Sequence, residues 1–139
     1  MIETALSPTL AATVLHRVTG VVDQQQARQG AAEALRFVQR LSSQLGPINL
    51  VLDLRGKHFV DLQAHKAWSQ GFARNPVLQG HVQFVAILGD DTPAFRAEQE
   101  LMDTERVRFF VDETRAERWL EQMRGEAPGR GSPLAKGSP

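Results

Sequence analysis

The sequence predicts an α/β domain built on a single, mostly parallel sheet. Two dense apolar runs, Ile48–Leu54 and Val82–Leu88, are bounded by turn residues and read as covered strands. Segments with apolar residues at three- and four-residue spacing stand between such runs. Parallel strands need crossovers, and helices usually supply them, so the alternation implies a largely parallel sheet. The helices are amphipathic rather than wholly apolar, which places them outside the sheet.

Taken in order, Ile2 to Leu6 suits a short first strand ended by Ser7-Pro8. Ala12 to Val18 is a clearer strand, closed by Gly20. Asp23 is an N-cap for a helix to about Leu45, where Ala27, Ala31, Ala34, Leu35, Val38 and Leu41 share one side. Gly46-Pro47 stops that helix. After the strand at Ile48–Leu54 and a polar loop, Asp61 caps a helix with Ala64, Ala67, Trp68 and Phe72 on one face. It ends near Asn75-Pro76, since a residue before proline is pushed out of helical space. The strand Val82–Leu88 leads through Gly89-Asp90-Asp91 to Thr92-Pro93, an N-cap and first-turn proline for a helix to about Asp103. Val107 to Val111 is a short strand. Asp112 or Thr114 caps a last helix; Thr114 with Glu117 would make a capping box, and Gly125 would end the helix. The expected division is a domain over 1–124 and a disordered, Gly-, Pro- and Ser-rich tail over 125–139.

The chain has 139 residues, 16 of them Lys or Arg and 16 Asp or Glu, so its formal charge is zero. This argues against a general affinity for nucleic acid, which needs a basic excess. With no cysteine there is no disulfide, thiolate metal site or cysteine nucleophile. No apolar run reaches the ~20 residues of a membrane span. The N-terminus lacks the basic start and apolar stretch of a secretory signal, so a cytoplasmic protein is expected.

Several phrases then stand together: Val14-Leu15-His16-Arg17-Val18-Thr19-Gly20 before a long helix, Leu50-Val51-Leu52-Asp53-Leu54, Phe84 to Asp90, and Val107-Arg108-Phe109-Phe110 followed by Ala116 to Leu120. In order and spacing the set resembles the SpoIIAA-like branch of the STAS domains, over about residues 2 to 124. The resemblance implies one mixed, mostly parallel sheet with helices mainly against one face. It also implies a regulatory role through protein contacts. Anti-sigma-factor antagonists of this fold are switched by phosphorylating a serine in an Asp-Ser-Ser-Gly-type motif at the helix after the central strand. Here the matching residues are Asp61-Leu62-Gln63-Ala64. Asp61 fits, but no hydroxyl is present to accept the charge that would drive a partner off. The branch also resembles SEC14-type lipid-binding domains, which implies a second reading.

The candidate site residues fall into three groups. Asp53 and Asp90 trail strands, where open α/β sheets place ligands; with Asp91 they could hold Mg²⁺ for phosphoryl transfer. The tripeptide Asp53-Leu54-Arg55 is not the Asp-x-Asp of an aspartyl phosphatase, and local capping accounts for these carboxylates. Arg55 and Lys57, with His58, form a basic loop beside Asp61 that could meet an anionic ligand or an acidic partner; exposed loops also carry such charges without function. Trp68 and Phe72 could line an apolar cavity or simply fill the core. The histidines at 16, 58, 65 and 81 show no recognised metal spacing, and neither a nucleophile elbow nor a glycine-rich phosphate loop exists. Phe109 and Phe110 point to opposite faces of their strand, so helices on one face only would leave one ring for a second copy of the chain.

The expectation is a non-enzymatic STAS-type module without cofactor or metal, binding a protein partner or itself and lacking the phospho-serine switch. The alternative is a SEC14-like carrier of a small apolar or lipid ligand. A Mg-dependent phosphoryl-transfer enzyme is a remote third, because its constellation is absent.

Overall fold

The computed structural model describes residues 1–126. The chain runs β1 (Ile2–Leu6), β2 (Thr13–Val18), β3 (Gly20–Val22), α1 (Gln24–Leu45), β4 (Ile48–Asp53) and β5 (Lys57–Phe59). It continues through α2 (Leu62–Trp68), a π-helical turn (Ser69–Ala73), α3 (Pro76–Gln79), β6 (Val82–Leu88), α4 (Pro93–Met102), β7 (Val107–Phe110) and α5 (Glu113–Glu126). Five strands form one sheet in the order β1-β2-β4-β6-β7. Only β1 is antiparallel to its neighbour; β2, β4, β6 and β7 are parallel.

β4 occupies the middle of this sheet, and all six of its residues are buried. Its alternating side chains divide between two cores. Ile48, Leu50 and Leu52 join Val14, Val18, Ala27, Ala31, Ala34 and Phe72 under α1 and α2. Val51 joins Ala86, Leu88, Trp119 and Leu120 under α5. The small residues along α1 let it lie close to the sheet, and Asp23 starts it with a capping box to Gln26. Helices therefore lie mainly on one face, with α5 alone on the other.

Some expectations fail in detail. Both Phe109 and Phe110 find partners within the chain: Phe109 meets Phe95 of α4 and Phe110 meets Trp119 of α5, each with ring centres 5.7 Å apart. The reason for invoking a second copy at these rings is gone. The Thr114–Glu117 capping box does not form; Asp112 accepts from the Thr114 amide, and Glu117 instead receives the Thr9 hydroxyl. α5 continues through Gly125 to Glu126. Residues 127–139, most of the expected tail, lie outside the described residues. Finally, Gly20–Val22 and Lys57–Phe59, read as loop, pair as a small parallel two-stranded sheet.

Candidate functional site

The C-terminal ends of β2 and β4 carry a polar cluster centred on Asp53, which is 3% exposed. Register makes it: Arg17 of β2 stands directly opposite Asp53 of β4. Asp53 Oδ2 accepts from Arg17 Nε at 3.1 Å and from Arg55 Nη2 at 2.8 Å. Its Oδ1 accepts from Arg55 Nε at 2.9 Å and from the Arg55 amide at 3.3 Å. Arg55 Nη2 also donates to Glu113 Oε1 at the start of α5, at 3.0 Å. Alongside, Asp90 accepts from the Gly56 amide at 2.9 Å, tying the β6–α4 turn to the loop after β4. Gly56 turns that loop at φ +75°, a conformation disfavoured for residues with a Cβ.

Burial pushes the Asp53 carboxyl upward, but the hydrogen bonds from Arg55 and Arg17 outweigh it and hold the group below the usual carboxylate range. The bond to Asp53, with a second to Glu113, raises the Arg55 guanidinium above its ordinary value. Asp53 is thus an ionised acceptor with four donors on its two oxygens, about the full capacity of a carboxylate. A metal ion or a phosphoryl group could approach it only by displacing a guanidinium. Among the described residues no three His, Asp or Glu side chains converge as a metal site.

The remaining candidates lie apart from this cluster. Lys57 sits on β5, exposed. Asp61 caps α2 by accepting from the Ala64 amide at 2.8 Å. Around that cap are exposed apolar side chains: Val21, Val60 and Leu62 are 63%, 47% and 63% exposed. Val21 pairs with His58 across β3 and β5, and the Val60 amide bonds the Val22 carbonyl, so these groups share one end of the molecule. Trp68 and Phe72 are core residues. Phe72 is fully buried, and Trp68 donates its indole N–H to His16 Nε2 at 2.9 Å. Of two cavities of about 160 and 360 Å³, neither is lined by Trp68 or Phe72.

Arg17 and Glu113 were not singled out from the sequence. The signal for Arg17 was its place at the end of a strand next to one ending in Asp53, but parallel register cannot be read from either strand alone.

No protein-family model matches the sequence, and no curated protein matches it. Solved structures do. An uncharacterised protein of the DUF3478 family from Shewanella loihica PV-4, described as having a SpoIIAA-like fold, aligns with a TM-score of 0.53 at 20% identity, covering 86% of this chain and 92% of its own. The fold is SpoIIAA-like. The phosphorylated form of the Bacillus cell fate determinant SpoIIAA aligns with a TM-score of 0.47 at 14% identity, over 84% of this chain and 99% of its own. At this identity the SpoIIAA-like architecture accounts for the mixed sheet and the helix layer, and the chemistry of the site has to be read from its own residues.

Proposed function

We propose that the chain is a non-enzymatic, cytoplasmic STAS-type regulatory module that works by binding a protein partner, without a phospho-serine switch. The observation that carries this is the exposed apolar group of Val21, Val60 and Leu62 around the Asp61 cap. Exposed apolar side chains beside the polar Lys57 and His58 suit a protein contact. The cap position holds Asp61-Leu62-Gln63-Ala64, so a kinase finds no hydroxyl in the first turn of α2. The saturated Asp53 cluster supports a scaffold role, since its carboxylate is engaged by Arg17 of β2 and by Arg55, which in turn reaches Glu113 of α5. No helix among the described residues is long and apolar enough to cross a membrane.

The test is a contact-face variant, Val60→Asp with Leu62→Glu. Partner capture from native cells should drop by about tenfold or more, as loss of a central apolar anchor predicts, with an unchanged circular dichroism spectrum. Kinase treatment should leave the capture unchanged. Turnover of a phosphorylated compound that disappears in Asp53→Asn would defeat the proposal.

A further inference from the structure

The two outer edges of the sheet are finished differently. At β7 the Arg106 and Phe110 carbonyls accept from the Val85 and Gly89 amides on the β6 side, so the backbone groups of Val107 and Phe109 face outward. All of them are occupied from within the chain. The Val107 amide donates to Thr104 Oγ1 at 3.0 Å, and its carbonyl receives the Thr104 amide at 2.8 Å. The Phe109 amide donates to Asp103 Oδ1 at 2.9 Å, and its carbonyl receives Gln99 Nε2 at 2.7 Å. An edge closed in this way does not take another strand.

β1 has no such closure. Its ladder to β2 is bracketed by the Thr19 amide on the Met1 carbonyl and the Ser7 amide on the Thr13 carbonyl, both at 2.8 Å. Bonded positions alternate in an antiparallel pair, so Met1, Glu3, Ala5 and Ser7 face β2 while Ile2, Thr4 and Leu6 face outward. The N–H and C=O groups of those three meet no partner among the described residues. Nor does the strand carry a proline, a lysine or a bulge to blunt it. Residues 127–139 are a poor source of a covering strand, because their longest stretch free of Gly and Pro is Leu134 to Lys136.

We propose that β1 pairs antiparallel with β1 of a second copy of the chain, about a two-fold axis through Thr4, to make one continuous sheet. The strand is complementary to its own reverse. Thr4 faces Thr4, and Ile2 faces Leu6 of the second copy, each pair exchanging two backbone bonds. Leu6, 54% exposed, thereby gains an apolar partner. On the other face Glu3 stands opposite Ala5 of the second copy, so the one charged side chain of the strand meets a methyl group rather than a like charge. The 16 Lys or Arg balance the 16 Asp or Glu, so no net charge holds two copies apart. The contact is small, which makes the dimer concentration-dependent. It uses none of the residues of the Val21, Val60 and Leu62 surface.

The experiment is sedimentation velocity of the full chain over a wide range of concentration, where the mass should rise from one copy to two. Amide exchange at Ile2, Thr4 and Leu6 should slow over the same range, while exchange in β7 stays unchanged. Ala5 is exposed, so charged replacements there leave the core alone. Ala5→Glu sets a carboxylate opposite each Glu3 and should weaken the dimer, whereas Ala5→Lys sets an ammonium there and should strengthen it. Each change should be roughly three- to thirtyfold, because two cross-strand pairs alter per dimer. Weakening by both variants, or a response to neither, would overturn the proposal. A mass of one copy at every concentration would do the same, whether the three amides exchange fast or are protected by the chain itself. A dimer that responds only to Val60→Asp with Leu62→Glu would lie on the partner surface instead, and would equally overturn it.

Discussion

His16 sets a protonation state deep in the core. It is fully buried, its ring centre lies 4.5 Å from that of Phe72, and both nitrogens are engaged. The Trp68 indole N–H can only donate, so the Nε2 atom it reaches carries no hydrogen. The proton is therefore on Nδ1, which donates to Thr4 Oγ1 at 2.9 Å. Burial lowers the His16 pKa from 6.5 to about 4. Between those values the unfolded chain takes up a proton that the folded chain refuses, so stability falls as pH drops through this window. The effect amounts to about 3 kcal/mol at about 1.4 kcal/mol per pH unit. The Asp53 carboxyl, held below its ordinary value of 3.8, acts in a lower window: its contribution is present above that value and is lost only below it. Urea midpoints measured at about pH 7, 5.5 and 4.5 should fall steadily, and His16→Gln should flatten the slope. A wild-type midpoint constant over this range would refute the buried neutral imidazole. The sequence held a hint of this role, because strand alternation puts His16 on the same face as Val14 and Val18. It gave no hint of the partners, which come from β1 and α2.

At the scale of elements, most of the framework was legible because it rests on local signals. Apolar runs marked β4 and β6, and Asp23, Asp61 and Thr92 cap α1, α2 and α4 with side-chain bonds to backbone amides. β3 and β5 were not legible, because three residues each are too few to show a period and their pairing depends on contacts distant in sequence. The Asp53 cluster was half legible for the same reason: Asp53, Arg55 and Asp90 stand out at strand ends, while Arg17 and Glu113 arrive through register and helix packing. The π-helical turn after α2 was hidden as well, and Gly71 within it shows what the turn accommodates. A Cβ on Gly71 would stand 2.9 Å from the Ala31 Cβ of α1, closer than two methyl carbons can sit. Neither methyl can swing away, so the helices would have to separate. In an exposed helix a Gly→Ala change gains up to about 1 kcal/mol. Gly71→Ala should instead lose about 1–3 kcal/mol through overpacking, read as a lower urea midpoint. A neutral or stabilising result would show that α1 and the turn are not packed this closely.

For the molecule as a whole, the two faces of the sheet are protected unequally. α1, α2, the π-helical turn, α3 and α4 share one face, while α5 alone covers Val51, Ala86, Leu88 and Phe110 on the other. The Trp119 ring is the main contact of that cover. It is 6% exposed, packs edge-on against Phe84 with centres 5.9 Å apart, tilts against Phe110 and lies beneath the Arg108 guanidinium at 5.6 Å. At the two ends, Glu113 is tied to Arg55 and Glu117 to Thr9. These exposed polar ties contribute little by comparison with the buried ring. Trp119→Ala should therefore cost about 3–5 kcal/mol and act unevenly. Hydrogen exchange should accelerate first in α5 and β7, while α1 and β2 keep their protection until global unfolding. The bared apolar face should also favour self-association, visible as a rising mass in light scattering. Leu101→Ala is the matched control, since Leu101 is 82% exposed and its truncation should leave stability and mass unchanged. If Trp119→Ala instead accelerated exchange equally in α1 and α5, the two cores would be a single cooperative unit, and the sheet would transmit the loss of either cover to the other.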